Sequence, residues 1–318
     1  MAPIIEIRNL RKQYGKLVAV SDLTLTVEQG AIFGFVGPNG AGKTSTMRIL
    51  TTLMSPSSGE AYVAGHSVTK DPRGVRRAIG YMPDFFGVYD DMTVWEYLDF
   101  FGACYEIPEA KRASVNKDLL ELVDLAHRRD DRVEGLSRGM KQRLALARTL
   151  AHDPQVLILD EPASGLDPRA RIEIRGLLVE LAKMGKTIFF STHILADVAE
   201  ICTDVGIIEA GKLVAAGKLE EMHRQLMPHR RIHITMLGKV EEAQALLAGV
   251  EGVTAVSAGQ SVEGLKRTEV ILEYNGGDDE VSAMLAKLVA NGIPVMHFME
   301  DVRDMEAVFM QATKGIVS

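Results

Sequence analysis

The feature that most constrains the fold is a glycine-rich segment that lies between an apolar run and a helical pattern. Its residues read Gly37-Pro38-Asn39-Gly40-Ala41-Gly42-Lys43-Thr44. The preceding residues, Ala31–Val36, are almost all apolar and predict a buried strand. The following residues, Ser45–Leu50, have the composition and spacing of a helix. A strand, a tight turn and a helix in this order predict an α/β fold.

The same segment carries the pattern of a phosphate-binding loop, G-x-x-x-x-G-K-[ST], in the strand-to-helix context that the pattern requires. Glycines let successive backbone N–H groups approach phosphate oxygens, and the helix start adds partial positive charge. Lys43 can reach the β- and γ-phosphates of a nucleoside triphosphate, and Thr44 offers a hydroxyl to Mg²⁺. The predicted nucleotide contacts run from Gly37 through Ser45. The alternative is a glycine-rich turn whose lysine is simply solvated.

Composition narrows the class of protein further. The 318 residues favour two domains, and a formal net charge of −7 argues against nucleic acid as a partner. The two cysteines, Cys104 and Cys202, form neither a metal-ligand spacing nor a disulfide framework, so a reducing cytoplasm is expected. No apolar run approaches the roughly 20 residues of a membrane helix. A role at a membrane would therefore depend on a partner.

The pattern along the chain predicts an α/β core with a helical insertion and a second domain. Residues 85–152 read as helices, and Thr93 with Glu96 forms a capping-box signature at their start. The α/β pattern then resumes and ends near residue 225, so we expect one domain at 1–225 and another at 226–318. The second reads as βαββαβ, the order of a ferredoxin-like α+β domain, with a closing helix at Met305–Thr313.

A second motif places two carboxylates at the end of a buried strand. Val156–Leu159 are apolar, and Asp160 and Glu161 follow them directly. Ligands of α/β sheets bind at the carboxyl ends of the strands, so both side chains are expected beside the phosphates. Asp160 is placed to help hold Mg²⁺, and Glu161 to polarise an attacking water as general base.

Three further segments add polar groups to this prediction. Ser137 caps a helix with Gly139 in its first turn, a second helix start suited to phosphate. Asp167 follows the Asp-Glu pair closely and precedes a helix-starting proline. His193 comes just after the apolar strand Thr187–Phe190, near the same sheet edge, where it is a candidate γ-phosphate contact. A lone histidine at a strand end is more often structural.

In this order the motifs resemble those of ATP-binding cassette (ABC) transporter ATPase subunits over about residues 3–225, in particular the drug- and ion-exporter (ABC-2 type) group with an appended C-terminal domain. The resemblance implies a P-loop NTPase fold with a RecA-like core, an antiparallel β subdomain and a helical subdomain at about 85–152. It implies that Tyr14 stacks on adenine, that Gly37–Thr44 holds the phosphates, and that Thr44 and Asp160 bind Mg²⁺. Glu161 would be the catalytic base and His193 the γ-phosphate contact.

The resemblance also implies a head-to-tail pair of cassettes. Ser137 and Gly139 would contact ATP bound to a second copy of the chain or a related cassette, and Asp167 would link the two sites. Phe85–Val94 would face a separate integral membrane permease, which places the chain in the cytoplasm on the inner face of the cell membrane. The chain would then bind ATP and Mg²⁺ and hydrolyse ATP to power transport, with export as the direction implied.

Three positions in two motifs depart from the family pattern. Arg138 stands where the signature Leu-Ser-Gly-Gly-Gln has its first glycine, and Met140 where it has its glutamine. Asp84 stands where the family has a glutamine that contacts Mg²⁺ and water. Our hypothesis is that Asp84 keeps a metal role, and the alternative is a tolerated turn residue. Two other functions stay open at this point: a soluble ABC-type ATPase without transport, and a regulatory cassette of reduced activity.

Overall fold

The computed structural model describes residues 3–85, 87, 89, 91–226, 230–262, 267–300 and 309–310. The chain divides into two compact units, one ending at Leu219 and the other beginning at Glu220. In the part described, no helix has both the length and the apolar character needed to cross a bilayer.

The first unit alternates strands and helices along most of its length. In chain order its strands and helices are β1 (Ile5–Tyr14), β2 (Leu17–Val27), β3 (Ile32–Val36), α1 (Lys43–Leu50), β4 (Ser58–Val63), β5 (His66–Ser67), α2 (Pro72–Ala78), β6 (Ile79–Met82), α3 (Val94–Cys104), α4 (Glu109–Leu122), α5 (Arg138–Leu150), β7 (Val156–Asp160), α6 (Pro168–Lys183), β8 (Thr187–Thr192), α7 (Leu195–Ile201), β9 (Asp204–Glu209) and β10 (Lys212–Lys218). Short 3₁₀ turns lie at Ala126–Arg128 and Val133–Gly135. Helix α8 (Leu219–Leu226) follows β10 and, from Glu220 on, belongs to the second unit.

A six-stranded sheet of order β10-β9-β3-β8-β7-β6 forms the centre of this unit. Its inner neighbours run parallel, and only the edge strand β10 is antiparallel. Every residue of β3, β7 and β8 is buried, as continuous apolar strands covered on both faces require. Because parallel strands end at the same edge, the segments after β3, β6, β7 and β8 meet there.

A four-stranded antiparallel sheet of order β2-β1-β4-β5 makes up the rest of the core. The sequence pattern predicts short strands at Ile4–Leu10 and Leu23–Val27, whereas the observed strand β1 continues to Tyr14 and β2 begins at Leu17. Asn9 and Asp22 have positive φ, and the Asn9 Nδ2 donates a hydrogen bond to the Asp22 carboxylate. The pairing of β1 with β2 shifts register beside these residues. The shift interrupts the alternation of apolar and polar residues from which the strand bounds were predicted.

The helical insertion contains α3, α4 and α5 and shares a hydrophobic core with one face of the six-stranded sheet. The predicted capping box is present: Thr93 Oγ1 accepts from the Glu96 amide at 3.2 Å, and Glu96 Oε2 accepts from the Thr93 amide at 2.8 Å. Both helix starts predicted from Thr93 and Ser137 therefore lie where the sequence placed them.

The second unit contains β11 (Arg230–Leu237), α9 (Val240–Ala248), β12 (Val253–Val262), β13 (Arg267–Tyr274), α10 (Asp278–Ala290) and β14 (Val295–Glu300). Its strands form one antiparallel sheet of order β12-β13-β11-β14. Helix α9 packs on β12 and β13, and α10 packs on β14 and α9, around a separate core that includes Ile234 and Leu272. The predicted helix at Met305–Thr313 lies largely outside the described residues.

Candidate nucleotide-binding and hydrolysis site

The glycine-rich loop connects β3 to α1 at the carboxyl edge of the central sheet. Gly42 caps α1 with φ +108, a backbone conformation that side chains disfavour, and a Cβ there would collide with the Ala19 carbonyl oxygen. A Cβ at Gly37 would collide with the Ile208 carbonyl oxygen. Glycine at these two positions is therefore required by the close approach of neighbouring backbone.

Lys43 begins α1 and is buried, with 6% of its surface exposed. Its ammonium donates to the carbonyl oxygens of Gly37 at 2.6 Å and Pro38 at 3.3 Å. It also forms an ion pair with Glu161 Oε1 at 3.4 Å. The structure thus brings the lysine of the loop beside the second carboxylate of the strand-end pair.

The carboxylate pair is held by a residue to which sequence reasoning gave no role, Ser191 on the neighbouring strand β8. The Ser191 hydroxyl donates to Asp160 Oδ1 at 2.6 Å and accepts from the Glu161 amide at 2.9 Å. Glu161 itself has φ +51, so its backbone is in a conformation that a non-glycine residue seldom adopts. Ser191 pairs in register with Asp160 across the two strands, a relation that the sequence alone does not display.

Burial raises the pKa of Asp160, while hydrogen bonds from Ser191 and Thr44 act in the opposite direction. Its second oxygen, Oδ2, is buried and forms no hydrogen bond of ordinary length to any described residue. A buried carboxylate oxygen without a donor is costly, and a cation beside it would remove that cost.

His193 follows β8 and completes a short chain of contacts. Its Nδ1 lies 2.9 Å from Glu161 Oε2, and the imidazole is 44% exposed. Glu161 thus has one carboxylate oxygen toward Lys43 and the other toward His193, with only 12% of its side chain exposed. This arrangement holds the carboxylate in one orientation at the sheet edge.

A cavity of about 300 Å³ lies over the glycine-rich loop. Its lining contains most of the predicted nucleotide contacts, namely Tyr14, Pro38, Asn39, Gly40, Ala41, Gly42, Lys43, Thr44, Ser45, Asp84 and Glu161. The Tyr14 hydroxyl lies 3.3 Å from Ser45 Oγ, which joins the end of β1 to the loop. Asp84 lies at this cavity because β6 ends at the same edge as β3 and β7.

Six of the predicted residues are not in this lining. Gly37 and His193 contact the lining residues Lys43 and Glu161, and Asp160 directly precedes Glu161. The other three, Ser137, Gly139 and Asp167, form a second group. Ser137 Oγ accepts from the Met140 amide at 3.3 Å as the cap of α5. Asp167 accepts from the Ala170 amide at 3.0 Å as the cap of α6, and a Cβ on Gly139 would lie 2.8 Å from the Ala170 Cβ. The two helix starts are therefore packed closely against each other.

Sequence reasoning missed two contacts that connect α5 to the segment after β7. Arg138 donates to the Ser164 carbonyl at 3.2 Å, and its guanidinium lies against Gly165. Gln142 Nε2 donates to the Pro162 carbonyl at 2.6 Å. No sequence signal pairs these positions, because the partners are backbone carbonyls in the segment after β7.

A glycine-rich loop and an Asp-Glu strand end at one edge of a parallel sheet, with a helical insertion between them, define a P-loop nucleoside triphosphatase of the cassette type. The family model described as "ABC transporter" matches residues 20–164. The Nod factor export ATP-binding protein I of Cupriavidus metallidurans is 40% identical over 222 residues, covering 70% of this chain and 73% of that protein. The chain therefore belongs to the ABC transporter ATP-binding proteins.

Two further similarities extend this finding. The linearmycin resistance ATP-binding protein LnrL of Bacillus subtilis is 28% identical over 312 residues, 98% of each chain. The solved structure of cbiO1 from Clostridium perfringens, part of the ABC transporter complex cbiONQ, is 27% identical with a TM-score of 0.64, covering 71% of this chain and 92% of that one.

The chain is thus an ATP-binding subunit of an ABC transporter and an ATPase. ABC ATPase subunits work with membrane permease components and dimerise. The fold predicted for the cassette is confirmed at the level of the P-loop NTPase.

Proposed function

We propose that this chain hydrolyses ATP, in a dimer of two cassettes, to power export through a separate membrane permease. The observation that carries the proposal is the position of Glu161, whose two carboxylate oxygens lie near Lys43 at 3.4 Å and His193 at 2.9 Å. Export is supported by the names of two relatives, one for Nod factor export and one for linearmycin resistance.

ATP would lie over the glycine-rich loop, with its phosphates on Gly37–Ser45 and its adenine on Tyr14. The size of the cavity and the presence of Tyr14 in its lining support this placement. Lys43 would bind the β- and γ-phosphates. Its ammonium already lies in the loop, since it donates to two loop carbonyls.

Thr44 and Asp160 would hold Mg²⁺, which neutralises the charge of the phosphates. The fit is supported by Asp160 Oδ2, the buried carboxylate oxygen without a hydrogen-bond donor among the described residues. A hydroxyl and one or two carboxylates are a donor set suited to Mg²⁺, which usually binds with substrate phosphates and water. Asp84 lies in the same cavity and would supply the second carboxylate.

Glu161 would accept a proton from the attacking water, and His193 would orient the carboxylate and contact the γ-phosphate. Positioned proton transfer of this kind contributes roughly 100- to 10,000-fold to a rate. Lys43 on one side and His193 on the other restrict the Glu161 side chain, so little reorientation is needed before reaction.

The site would be completed by a second cassette, because Ser137, Gly139 and Asp167 lie outside the cavity of their own chain. In a two-fold dimer each chain would present its α5 start to the ATP of the other. The second chain is another copy or a related cassette. The capped helix starts offer N–H groups and a hydroxyl suited to phosphate.

We assign residues 1–225 to the ABC domain, with its helical subdomain at about 85–152, and residues 226–318 to an accessory domain of the ferredoxin-like type. The sheet order β12-β13-β11-β14 with the βαββαβ sequence of elements supports the second assignment. The cassette would lie on the cytoplasmic face of the cell membrane, with the segment Phe85–Val94 toward the permease.

The test uses Glu161→Gln, which keeps the size of the side chain and removes its basicity. We expect this variant to bind ATP and to elute as a dimer with ATP and Mg²⁺, while its hydrolysis falls at least about 100-fold. The matched control is Glu180→Gln, since Glu180 is an exposed residue of α6. A Glu161→Gln protein that hydrolyses ATP at the normal rate would overturn the assignment of the base.

The link to transport is tested separately by purification of the chain from membranes. We expect a multi-spanning protein to co-purify in a fixed ratio, and to be lost in high detergent but retained by the Glu161→Gln variant. Recovery of the chain only from the soluble fraction, without a membrane partner, would contradict the transport role and leave the ATPase assignment intact.

A further inference from the structure

A second and larger cavity, of about 780 Å³, lies in the first unit away from the nucleotide site. His152 lines it, and the imidazole Nε2 of His152 lies 2.8 Å from the carbonyl oxygen of Ile79, the first residue of β6. The nucleotide cavity lies at the other end of β6, where Asp84 follows the strand. The two cavities are therefore at opposite edges of the central sheet.

Three arginines of α2 form one wall of this cavity. Arg73, Arg76 and Arg77 are spaced i, i+3 and i+4, so they share one face of the helix. Among the described residues none of the three forms an ion pair with a carboxylate; Arg76 donates to the Thr52 hydroxyl at 3.1 Å. Like charges at this spacing destabilise a helix.

Helix stability accounts for only part of this arrangement. Arg76 and Arg77 lie in the last turn of α2, where a cation interacts favourably with the helix dipole. Arg73 lies in the first turn, where the same interaction is unfavourable. Helix stability therefore does not explain why all three arginines line one cavity.

The lining of the cavity also contains a stacked pair of planar side chains. Tyr105 stacks on His152 with ring centroids 4.0 Å apart and an angle of 23° between the planes. Burial lowers the pKa of His152, so Nε2–H donates to Ile79 while Nδ1 is buried without a hydrogen-bond partner in the described part of the chain. The lining contains one carboxylate, that of Glu106, and three arginines, so its side chains carry an excess of positive charge.

We propose that this cavity binds a phosphate-bearing anion from solution, of the pyrophosphate or nucleotide class. Guanidinium groups bind phosphate through paired, charge-assisted hydrogen bonds, and three of them face one space here. The volume suits a ligand of nucleotide size. The site is separate from the glycine-rich loop, so this proposal does not depend on the proposed function.

Cys104 provides the measurement, because it is exposed and lines the same cavity. The full chain is treated with a neutral maleimide, and the rate of modification of Cys104 is followed by peptide mass. Cys202 is the internal reference, since burial raises the pKa of its thiol and slows its reaction. Inorganic pyrophosphate at ten times its Kd is expected to slow modification of Cys104 about tenfold.

Variants distinguish the cavity from other binding sites. The double substitution Arg73→Gln with Arg77→Gln is expected to abolish protection, whereas Lys117→Gln on the exposed face of α4 keeps it. Lys43→Ala also keeps it, because the glycine-rich loop lies at the other edge of the sheet. Absence of protection by pyrophosphate, or equal protection in the arginine variant, overturns the proposal.

A phospholipid headgroup shares the phosphate chemistry and is tested in a second arm with phosphatidylglycerol vesicles. Protection by pyrophosphate without protection by vesicles supports a solution ligand. Protection by vesicles alone would overturn the proposal of a ligand from solution, and would indicate that the three arginines bind a lipid surface.

Discussion

The Ser191 hydroxyl holds the Asp160 carboxylate and the main chain of Glu161, so its removal gives a sharp test of the site. The hydroxyl donates to Asp160 Oδ1 at 2.6 Å and accepts from the Glu161 amide at 2.9 Å. Ser191→Ala removes both hydrogen bonds and adds no atom. Ser191 is fully buried, so water from bulk solvent does not reach the two groups that lose their partner.

The expected loss of stability follows from these two bonds. A hydrogen bond to a charged group contributes about 1.5–3 kcal/mol, and a buried amide left without a partner costs about 1–3 kcal/mol. The sum is about 2.5–6 kcal/mol, and for a unit of this size each kcal/mol lowers Tm by about 2–4 °C. We therefore expect the unfolding transition of the first unit to fall by roughly 5–24 °C.

Hydrolysis should fall as well, because the Glu161 backbone is held at φ +51 by the same hydroxyl. A shift of about 1 Å in a catalytic group lowers a rate roughly 100-fold. Both effects are measured on one preparation, by calorimetry without nucleotide and by phosphate release at a temperature where the variant is folded.

Thr187→Ala is the matched control, since Thr187 is a buried hydroxyl residue at the other end of β8 that accepts from the Gly30 amide at 2.9 Å. It should lower Tm by less and leave phosphate release unchanged. The reasoning is refuted if Ser191→Ala melts and hydrolyses like the unmodified chain, or if Thr187→Ala slows phosphate release equally.

Three other substitutions have defined outcomes. Gly42→Ala forces a side chain into φ +108 against the Ala19 carbonyl, so ATP affinity measured by calorimetry should fall about 10- to 100-fold; unchanged affinity would show that the loop tolerates a Cβ. Asp84→Asn removes a charge from the cavity, and the Mg²⁺ concentration for half-maximal hydrolysis should rise; an unchanged Mg²⁺ dependence would deny Asp84 a metal role. Thr93→Ala removes the cap of α3 and should cost about 1 kcal/mol in denaturant unfolding, with a loss below about 0.3 kcal/mol counting against the cap.

The sequence predicted which residues lie at the carboxyl edge of the central sheet, because these residues follow one topological rule. Lys43, Asp160 and His193 each follow an apolar run, and apolar runs in an α/β pattern become parallel strands with a common carboxyl edge. The contacts between Lys43, Glu161 and His193 then follow from strand order. Their roles in hydrolysis stay predictions until the variants are measured.

The antiparallel sheet was less predictable, since its strands deviate from a simple alternation of apolar and polar residues. Register shifts beside Asn9 and Asp22 move apolar residues from one face to the other, so a two-residue period stops before the strand does. Ser191 was missed for a different reason. A serine in an apolar strand has no pattern of its own, and only pairing with Asp160 across the sheet gives it a function.

Arg138 shows how a departure from a family motif can be explained by a neighbouring glycine. Its guanidinium lies against Gly165, which has φ +67, and donates to the Ser164 carbonyl at 3.2 Å. Any side chain at position 165 would displace that guanidinium, so an arginine at 138 requires a glycine at 165. This contact connects the start of α5 to the segment that leads to Asp167. Since Ser137 and Asp167 are the residues proposed to meet a second cassette, Arg138 would let one chain present both to its partner as a single rigid surface.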